Sequence, residues 1–402
     1  MQSISYKAYL RIFVSYVNYF IGLWLYIPHP VNSVWYWVAV LSRIFIGSFT
    51  FIISTGGQIV YLVRLILSRN YNILDVAGIV NLIMTELMTE LKLLDLYLRR
   101  ESFSKFVEQM NNDEFQCRAE TEIAICEKAI KLTRRMFKAI FFSTCMDVFL
   151  HAVVVPALGK FETLPLKMDL ILFDVNDPKY FNYVCAYQIM YKPIMITTFA
   201  ALQSLPWAAM SFTMSQLDVL IHNFENMKEL VNSTKLERSC DENEAFRRTF
   251  RRLALHHSSI IRYHTFGGQL SIFLLMSATV ICTSALQFFS IESSAYNFSD
   301  VLWLFAYLII FITMLFVDCY FGNCITNKRI SSCVFSCPWM NLDHSLKKNV
   351  IIFLAKAQRP VVITTVKLVP VSLETFTKVC RYVLLRICIN KSLDFSIIYL
   401  FI

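Results

Sequence analysis

Several ionisable side chains lie inside long apolar stretches of this sequence, where an unpaired charge is costly. Arg43 and Glu90 stand at similar depths in two such stretches, if both form helices that cross a membrane. We predict that they form an ion pair, because either charge alone would be strongly destabilising. Glu86 lies one helical turn from Glu90, and Asp147 lies one turn from His151. These groups serve either as polar contacts inside a helix bundle or as contacts to a ligand or ion.

Three histidines, His256, His257 and His264, raise the question of a metal site. Membrane desaturases and hydroxylases carry several clusters of two or three histidines, whereas this chain has 7 histidines and no second cluster. The sequence also lacks the GxSxG, P-loop and HExxH signatures. We therefore predict no enzyme activity, no metal and no cofactor, and interpret the histidines as part of a solvated or packed cytosolic helix.

The composition indicates which kind of molecule positions these groups. Of the 402 residues, 56% are hydrophobic and only 17% are charged, whereas a soluble domain is about 25% charged. The 9 glycines and 10 prolines are few, and no regular alternation of apolar and polar residues is present. These features predict an all-α membrane protein rather than a barrel.

The cysteines and the net charge fit the same class. The 12 cysteines are scattered, and Cys333 and Cys337, four residues apart, do not have the spacing of a zinc ribbon. We expect reduced thiols, with one or two disulfides in outer loops as the open alternative. The net charge of +9 is explained by lysine and arginine in cytosolic loops, and no basic-aromatic pattern indicates nucleic-acid binding.

Hydropathy divides the chain, interpreted as one domain over 1–402, into seven predicted transmembrane helices. A bilayer core of about 30 Å requires roughly 20 apolar residues. The predicted spans are 34–56, 75–97, 136–158, 184–207, 266–289, 301–325 and 346–386. The last one is predicted to be split, because Lys356, Arg359 and Pro360 interrupt it.

The distribution of lysine and arginine predicts the orientation of the spans. The second, fourth and sixth connections are rich in both residues, whereas the odd-numbered connections contain far fewer. Since these cations stay on the cytosolic side, the N-terminus is predicted inside and the C-terminus outside. The sequon at Asn297 then falls in an outer connection, where glycosylation is possible. Apolar residues between 217 and 231 recur at helical spacing, so the inner connections are predicted to hold packed helices.

Aromatic and small polar residues cluster in the predicted outer halves of the spans. A small apolar ligand needs a concave pocket lined by aromatic rings and a few polar groups. An interfacial aromatic belt, or a surface that faces lipid, is the alternative interpretation for these side chains. The candidates are Phe149, Ala152, Val153, Tyr187, Met190, Tyr191, Thr283, Trp303 and Tyr307.

A series of short segments follows in a recognisable order along the chain. They are Leu164-Pro165-Leu166, Asp177-Pro178-Lys179-Tyr180, His256-His257-Ser258-Ser259, Asp318-Cys319-Tyr320-Phe321-Gly322-Asn323, Ser336-Cys337-Pro338-Trp339, Ala357-Gln358-Arg359-Pro360 and Val371-Ser372-Leu373-Glu374-Thr375-Phe376. In this order they resemble the insect odorant receptors, and the resemblance extends over essentially the whole chain.

The resemblance implies an odorant-gated, non-selective cation channel in the plasma membrane of olfactory sensory neuron dendrites. Such a tuning receptor assembles with the odorant receptor co-receptor, Orco, as a heterotetramer and binds a small volatile odorant in its outer half. The family pattern also implies a cytosolic anchor made by the inner ends of spans four to seven. It further implies a pore lined by 362–390, with Val383, Leu385 and Ile389 as gate candidates.

The sequence departs from the family pattern in its inner connection and after Phe376, and two other classes of membrane protein remain as alternatives. The chain lacks the longer inner connection of the co-receptor, which favours a tuning subunit. After Phe376 it does not follow the usual family ending, and Arg386 falls in the region that matches the pore. A gustatory receptor-type channel is the related alternative. A metabotropic seven-span receptor requires the opposite orientation, and its Asp-Arg-Tyr and Asn-Pro-x-x-Tyr motifs are missing.

Overall fold

A computed structural model of the protein describes most of the chain. The described residues are 33–38, 41, 52–69, 71, 73–110, 112–117, 119–149, 164, 166–170, 175, 177–262, 267–290, 298–340, 342–365 and 369–392.

Helices dominate the described residues. In chain order they are α1 (Ile53–Leu67), α2 (Ile73–Leu98), α3 (Arg100–Gln109), α4 (Glu120–Phe149), α5 (Pro178–Glu225), α6 (Met227–Arg238), α7 (Glu242–Arg262), α8 (Gly267–Ser290), α9 (Phe298–Thr326), α10 (Ile330–Phe335), α11 (His344–Ala357) and α12 (Leu373–Ser392). A short 3-10 turn at Asp113–Phe115 lies between α3 and α4. The predicted all-α class is confirmed in its helical character.

The 48-residue helix α5 is the central element of the bundle. It begins at Pro178 after Asp177, whose carboxylate accepts a hydrogen bond from the Lys179 backbone N–H at 2.9 Å. Every residue from 198 to 212 is buried, as expected for a helix surrounded by other helices. Helices α4, α9 and α7 all pack on it, while α2 packs along α8. Because α5 continues to Glu225, the predicted fourth span and the first part of the amphipathic segment 217–231 form one helix, and the rest of that segment lies on α6.

The end of the bundle near α7 is a layer of packed amphipathic helices. Buried residues on α7 recur at spacings of three and four, from Phe246 through Phe250 and Leu253 to His257. Phe250 meets Phe353 of α11 edge to face, with ring centroids 5.3 Å apart. The predicted packed helices between spans are therefore present.

The last predicted span is divided in the structure. Helix α11 ends at Ala357, shortly before Pro360, and α12 starts at Leu373. A two-stranded antiparallel hairpin lies between them, with β1 (Thr364–Thr365) paired to β2 (Val369–Pro370). The sequence pattern did not predict this hairpin, because strands of two residues are too short to show an alternation.

Within the described part of the chain, two helical segments are long and apolar enough to cross a membrane. Gly267–Phe288 and Val301–Phe335 have mean hydropathies of 1.8 and 2.4. The predicted span 75–97 coincides with α2 but carries Glu86, Glu90, Lys92 and Asp95. Their charge explains why hydropathy alone does not single out α2. Helix α1 continues to Leu67, beyond the predicted end of the first span at residue 56.

Candidate ligand-binding site

A cavity of about 100 Å³ lies among α2, α4, α5 and α9. Apolar side chains form most of its wall, and Leu166, in the segment before α5, lies on it too. Cavities of roughly 150 Å³ accommodate one benzene molecule, so a ligand of a few heavy atoms suits this space. The lining residues are Leu82, Thr85, Glu86, Thr144, Val148, Leu166, Tyr191, Lys192, Met195, Ile196, Phe199, Trp303, Tyr307, Ile310 and Phe311.

Glu86 supplies a buried carboxylate on the cavity wall. Its Oε1 accepts hydrogen bonds from Gln58 Nε2 at 2.8 Å, from Ser54 Oγ at 3.2 Å and from the Tyr191 hydroxyl. Its Oε2 lies 3.0 Å from Thr55 Oγ1. Three side chains thus donate to Oε1, whereas the single hydroxyl proton of Thr55 serves either Glu86 Oε2 or Glu90 Oε1. The cluster therefore links α1, α2 and α5 and holds the Tyr191 side chain in the wall.

A second polar cluster lies behind Tyr307. The Tyr307 hydroxyl contacts the Thr85 hydroxyl and donates to the Asn81 carbonyl oxygen at 3.3 Å. The Asn81 side chain donates to Ser284 Oγ at 3.1 Å and accepts from the Thr283 hydroxyl. This network connects the cavity wall to α8, which itself does not line the cavity.

The structure brings three of the nine predicted pocket residues to the cavity: Tyr191, Trp303 and Tyr307. Trp303 packs on Tyr307 with ring centroids 5.4 Å apart. Tyr187 stacks on Tyr191 at 5.9 Å, directly behind the wall.

The remaining pocket candidates lie elsewhere. Thr283 belongs to the network behind the wall, while Phe149 and Met190 are exposed by 51% and 66%. Ala152 and Val153 lie outside the described residues.

Sequence reasoning missed most of the apolar lining. Met195, Ile196 and Phe199 follow Tyr191 at helical spacing, so the face of α5 could have been inferred once one member was known. Glu86 was singled out as an intramembrane charge, with contact to a ligand or ion as one of two open interpretations, and it lies on the cavity wall.

The predicted ion pair between Arg43 and Glu90 stays a prediction, since Arg43 lies outside the described residues. Glu90 is half-buried, and its Oε1 lies 2.6 Å from Thr55 Oγ1. The side chain of Asp147, together with His151, His264 and Asn297, also lies outside the described part.

A charged cluster that the sequence pattern did not predict lies deeper in the bundle. The Lys92 ammonium donates to Gln203 Oε1 at 2.5 Å, and Gln203 Nε2 donates to Asp318 Oδ2 at 3.2 Å. The Trp207 indole N–H donates to Asp318 Oδ1 at 2.5 Å. The cluster fastens α2, α5 and α9 together.

The adjacent histidines of α7 belong to the helix packing. His256 Nε2 lies 2.9 Å from Gln216 Oε1, and the His257 ring packs against Phe353 at 5.2 Å. Burial lowers the pKa of each imidazole to about 4, so both are neutral at pH 7. Among the described residues, no group of three histidine, cysteine, aspartate or glutamate side chains could hold a metal ion.

The gate candidates lie on α12. Val383 is buried and Leu385 is 56% exposed. The side chains of Ile389 and Arg386 lie outside the described set.

Known proteins resemble this chain in sequence. The family model 7tm Odorant receptor matches residues 73–384. Odorant receptor 10 of Aedes albopictus is 26% identical over 121 residues, which make up 30% of each protein. Odorant receptor 2a of Drosophila melanogaster is 28% identical over 108 residues, or 26% of this chain and 27% of that one. The chain thus aligns with less than a third of the length of either curated relative.

The fold resembles that of a solved olfactory receptor. The insect olfactory receptor OR5 from Machilis hrabei matches with a TM-score of 0.71 at 12% identity, covering 95% of this chain and 97% of that one. The same receptor in complex with eugenol matches with a TM-score of 0.70 at 13% identity, covering 96% and 99%. Since the family model spans most of the sequence and the fold agrees with it, this membrane protein belongs to the insect odorant receptor family.

Proposed function

We propose that this chain is a tuning odorant receptor, the odorant-binding subunit of a ligand-gated, non-selective cation channel. The observation that carries the proposal is the aromatic cavity among α2, α4, α5 and α9, in a member of the odorant receptor family. In this proposal it binds a small volatile molecule, and the partner subunit is the co-receptor Orco, in a heterotetramer. The channel lies in the plasma membrane of olfactory neuron dendrites.

Seven membrane spans with a cytosolic N-terminus and an extracellular C-terminus complete the proposal. The lysine and arginine distribution supports this orientation. Helix α12 then lines the pore, with Val383, Leu385 and Ile389 near a hydrophobic gate that opens by hydration. The separation of α12 from α11 supports this assignment, because it frees α12 to follow its own direction.

Odorant binding acts on the gate by stabilising one arrangement of the helices. A ligand shifts such an equilibrium only by its difference in affinity for the two states. The Tyr307 network supports a route for this effect. It joins the cavity to Asn81 and α8, and α8 packs against α12.

Electrical recording tests the channel proposal. Cells that express this chain with Orco are exposed to a panel of volatiles that includes eugenol, the ligand named for the Machilis receptor. We expect odorant-evoked cation current only when both proteins are present. A response that needs a G protein, or one that is unchanged without Orco, contradicts the proposal.

A matched pair of substitutions on α9 tests the cavity. Trp303 lines it, whereas the neighbouring Leu302 is 43% exposed. Trp303→Ala is expected to raise the half-maximal odorant concentration by about tenfold or more, which corresponds to about 1.4 kcal/mol of lost binding. Leu302→Ala is expected to leave it unchanged. Equal effects of both variants place the odorant site elsewhere, even if the chain is a channel.

A further inference from the structure

Two cysteine thiols meet at the start of α4, away from the odorant cavity. Cys117 lies two residues after the 3-10 turn at Asp113–Phe115, and Cys126 lies in the second turn of α4, which begins at Glu120. Their Sγ atoms are 3.0 Å apart. A disulfide bond is about 2.05 Å long, so an approach of about 1 Å would join them.

We propose that Cys117 and Cys126 form a reversible oxidation site, at which a peroxide closes a disulfide within this connection. The two thiols differ in access, as such a site requires. Cys126 is 1% exposed, whereas Cys117 is partly exposed. Cys117 is thus the thiol that meets the oxidant, and Cys126 is the one that resolves the product.

A polar cavity beside the cysteine pair has room for the oxidant, although neither cysteine is among its lining residues. It measures about 130 Å³, and Glu114, Gln116, Gln216 and Arg252 are among the residues that line it. Gln116 directly precedes Cys117, and Gln216 Nε2 lies 3.8 Å from Cys126 Sγ. A site for one water needs only about 10–15 Å³, so a molecule as small as hydrogen peroxide fits here.

The chemistry balances with hydrogen peroxide as the oxidant. The Cys117 sulfur attacks one peroxide oxygen, an S–O bond forms, the O–O bond breaks, and the other oxygen leaves as water. Cys126 then attacks the Cys117 sulfur, the S–S bond forms, the S–O bond breaks, and the second oxygen leaves as water with the proton of the Cys126 thiol. Two thiols lose two electrons, and one peroxide becomes two waters.

The disulfide would fasten a segment that already bridges two helices. Phe115 packs against Phe212 of α5 at 5.6 Å and against the His256 ring of α7 at 5.4 Å. The Ser259 hydroxyl of α7 donates to the Glu114 carboxylate. In the proposed orientation this connection is cytosolic, where thiols rest in the reduced form and oxidation is a transient event.

Peptide mapping of the purified full-length chain tests the site. Trypsin cleaves after Lys105, Arg118 and Lys128, so the two cysteines end in different peptides, 106–118 and 119–128. After peroxide treatment of the folded chain and alkylation, we expect these peptides as one linked species that dithiothreitol separates. This readout does not depend on odorant or channel activity, so its failure leaves the proposed function intact.

The chain contains its own control pair. Cys333 and Cys337 fall together in peptide 330–347. The Cys337 Sγ lies 3.3 Å from two carbonyl oxygens, of Phe224 and Cys333, to either of which its one S–H can donate, and burial raises the pKa of the thiol to about 12. With little thiolate available, this pair is expected to stay alkylated at the peroxide concentration that links Cys117 to Cys126.

A variant separates the two steps. In Cys126→Ser the resolving thiol is lost, so a sulfenic acid should accumulate at Cys117 and react with dimedone. Three outcomes overturn the proposal: no linked peptide from the folded chain, linkage only after denaturation, or equal oxidation of the Cys333–Cys337 pair.

Discussion

At the residue scale, the Lys92–Gln203–Asp318 cluster places two ionisable groups in the interior of the bundle. Lys92 is 1% exposed and Asp318 is 3% exposed, and they lie on different helices. Gln203 stands between them and bonds to both. When one partner of a buried ion pair is removed, the remaining charge still carries the cost of its desolvation. When apolar groups replace both partners, that cost disappears.

Asp318→Asn should therefore destabilise the protein strongly. It leaves the Lys92 charge without its counterion, which costs about 3–5 kcal/mol. Thermal unfolding of the purified chain measures the effect. The double variant Lys92→Met/Asp318→Leu should recover part of the loss, because it removes the unpaired charge but takes these partners from the Gln203 amide and the Trp207 N–H. A double variant that unfolds no later than Asp318→Asn would show that the charge pair is not the cause.

His256 gives the inner helical layer a defined acid sensitivity. Burial lowers its pKa from 6.5 to about 4 in the folded chain. Between these values the unfolded chain binds a proton that the folded chain does not, so stability falls as the pH falls. Over the full range between these two pKa values, His256 lowers the free energy of unfolding by about 3 kcal/mol.

The pH dependence of thermal unfolding between pH 7 and 4 checks this sign. His256→Gln keeps a side-chain donor for Gln216 but does not titrate, so it should remove about half of the dependence in this range, while His257 supplies the rest. His344 is exposed, and His344→Gln serves as the matched control that leaves the curve unchanged.

At the element scale, α9 and the entry to α12 are held together by a close backbone approach. A Cβ built on Gly322 would meet the Val371 carbonyl oxygen at 2.1 Å. Only a residue without a side chain allows the two segments this contact. The position of α12 thus depends on one residue of α9.

Gly322→Ala should displace the start of α12 and lower both the unfolding temperature and any odorant-evoked current. Gly56→Ala on α1 is the matched control, because nothing lies within 4 Å of a Cβ at that position. At Gly56 we expect alanine to stabilise α1 and to raise the free energy of unfolding by no more than about 1 kcal/mol. If both variants behave alike, the contact with Val371 does not position α12.

Local sequence patterns predict where some of these helices end and where others continue. The break before α12 follows from Pro360 and the charges near it, and the amphipathic continuation of α5 follows from its spacing of apolar residues. The hairpin β1–β2 could not be predicted, because two-residue strands depend on the segments that flank them.

At the scale of the whole molecule, the distribution of lysine and arginine predicts the orientation of the chain in the membrane, and this prediction can be tested. An epitope tag at the N-terminus should bind antibody only after the cells are permeabilised, and a tag at the C-terminus should bind on intact cells. Immunofluorescence on the same cells measures both. The opposite pattern would favour a metabotropic receptor and would contradict the channel proposal.

The sequence by itself determined a helical membrane protein, the division of its last segment and the family to which it belongs. These properties depend on composition, on cation distribution and on ordered motifs, all of which are local or additive along the chain. It also pointed to Tyr191, Trp303 and Tyr307, since aromatic rings are the usual lining of a pocket.

Only the tertiary structure decided which side chains share a space. Met190 and Tyr191 are neighbours in the sequence, yet one is 66% exposed and the other 1% exposed. The difference is a rotation of 100° per residue about the axis of α5, and packing against α2, α4 and α9 sets that rotation. For the same reason Lys92 and Asp318, or Cys117 and Cys126, become partners only once the helices are in place.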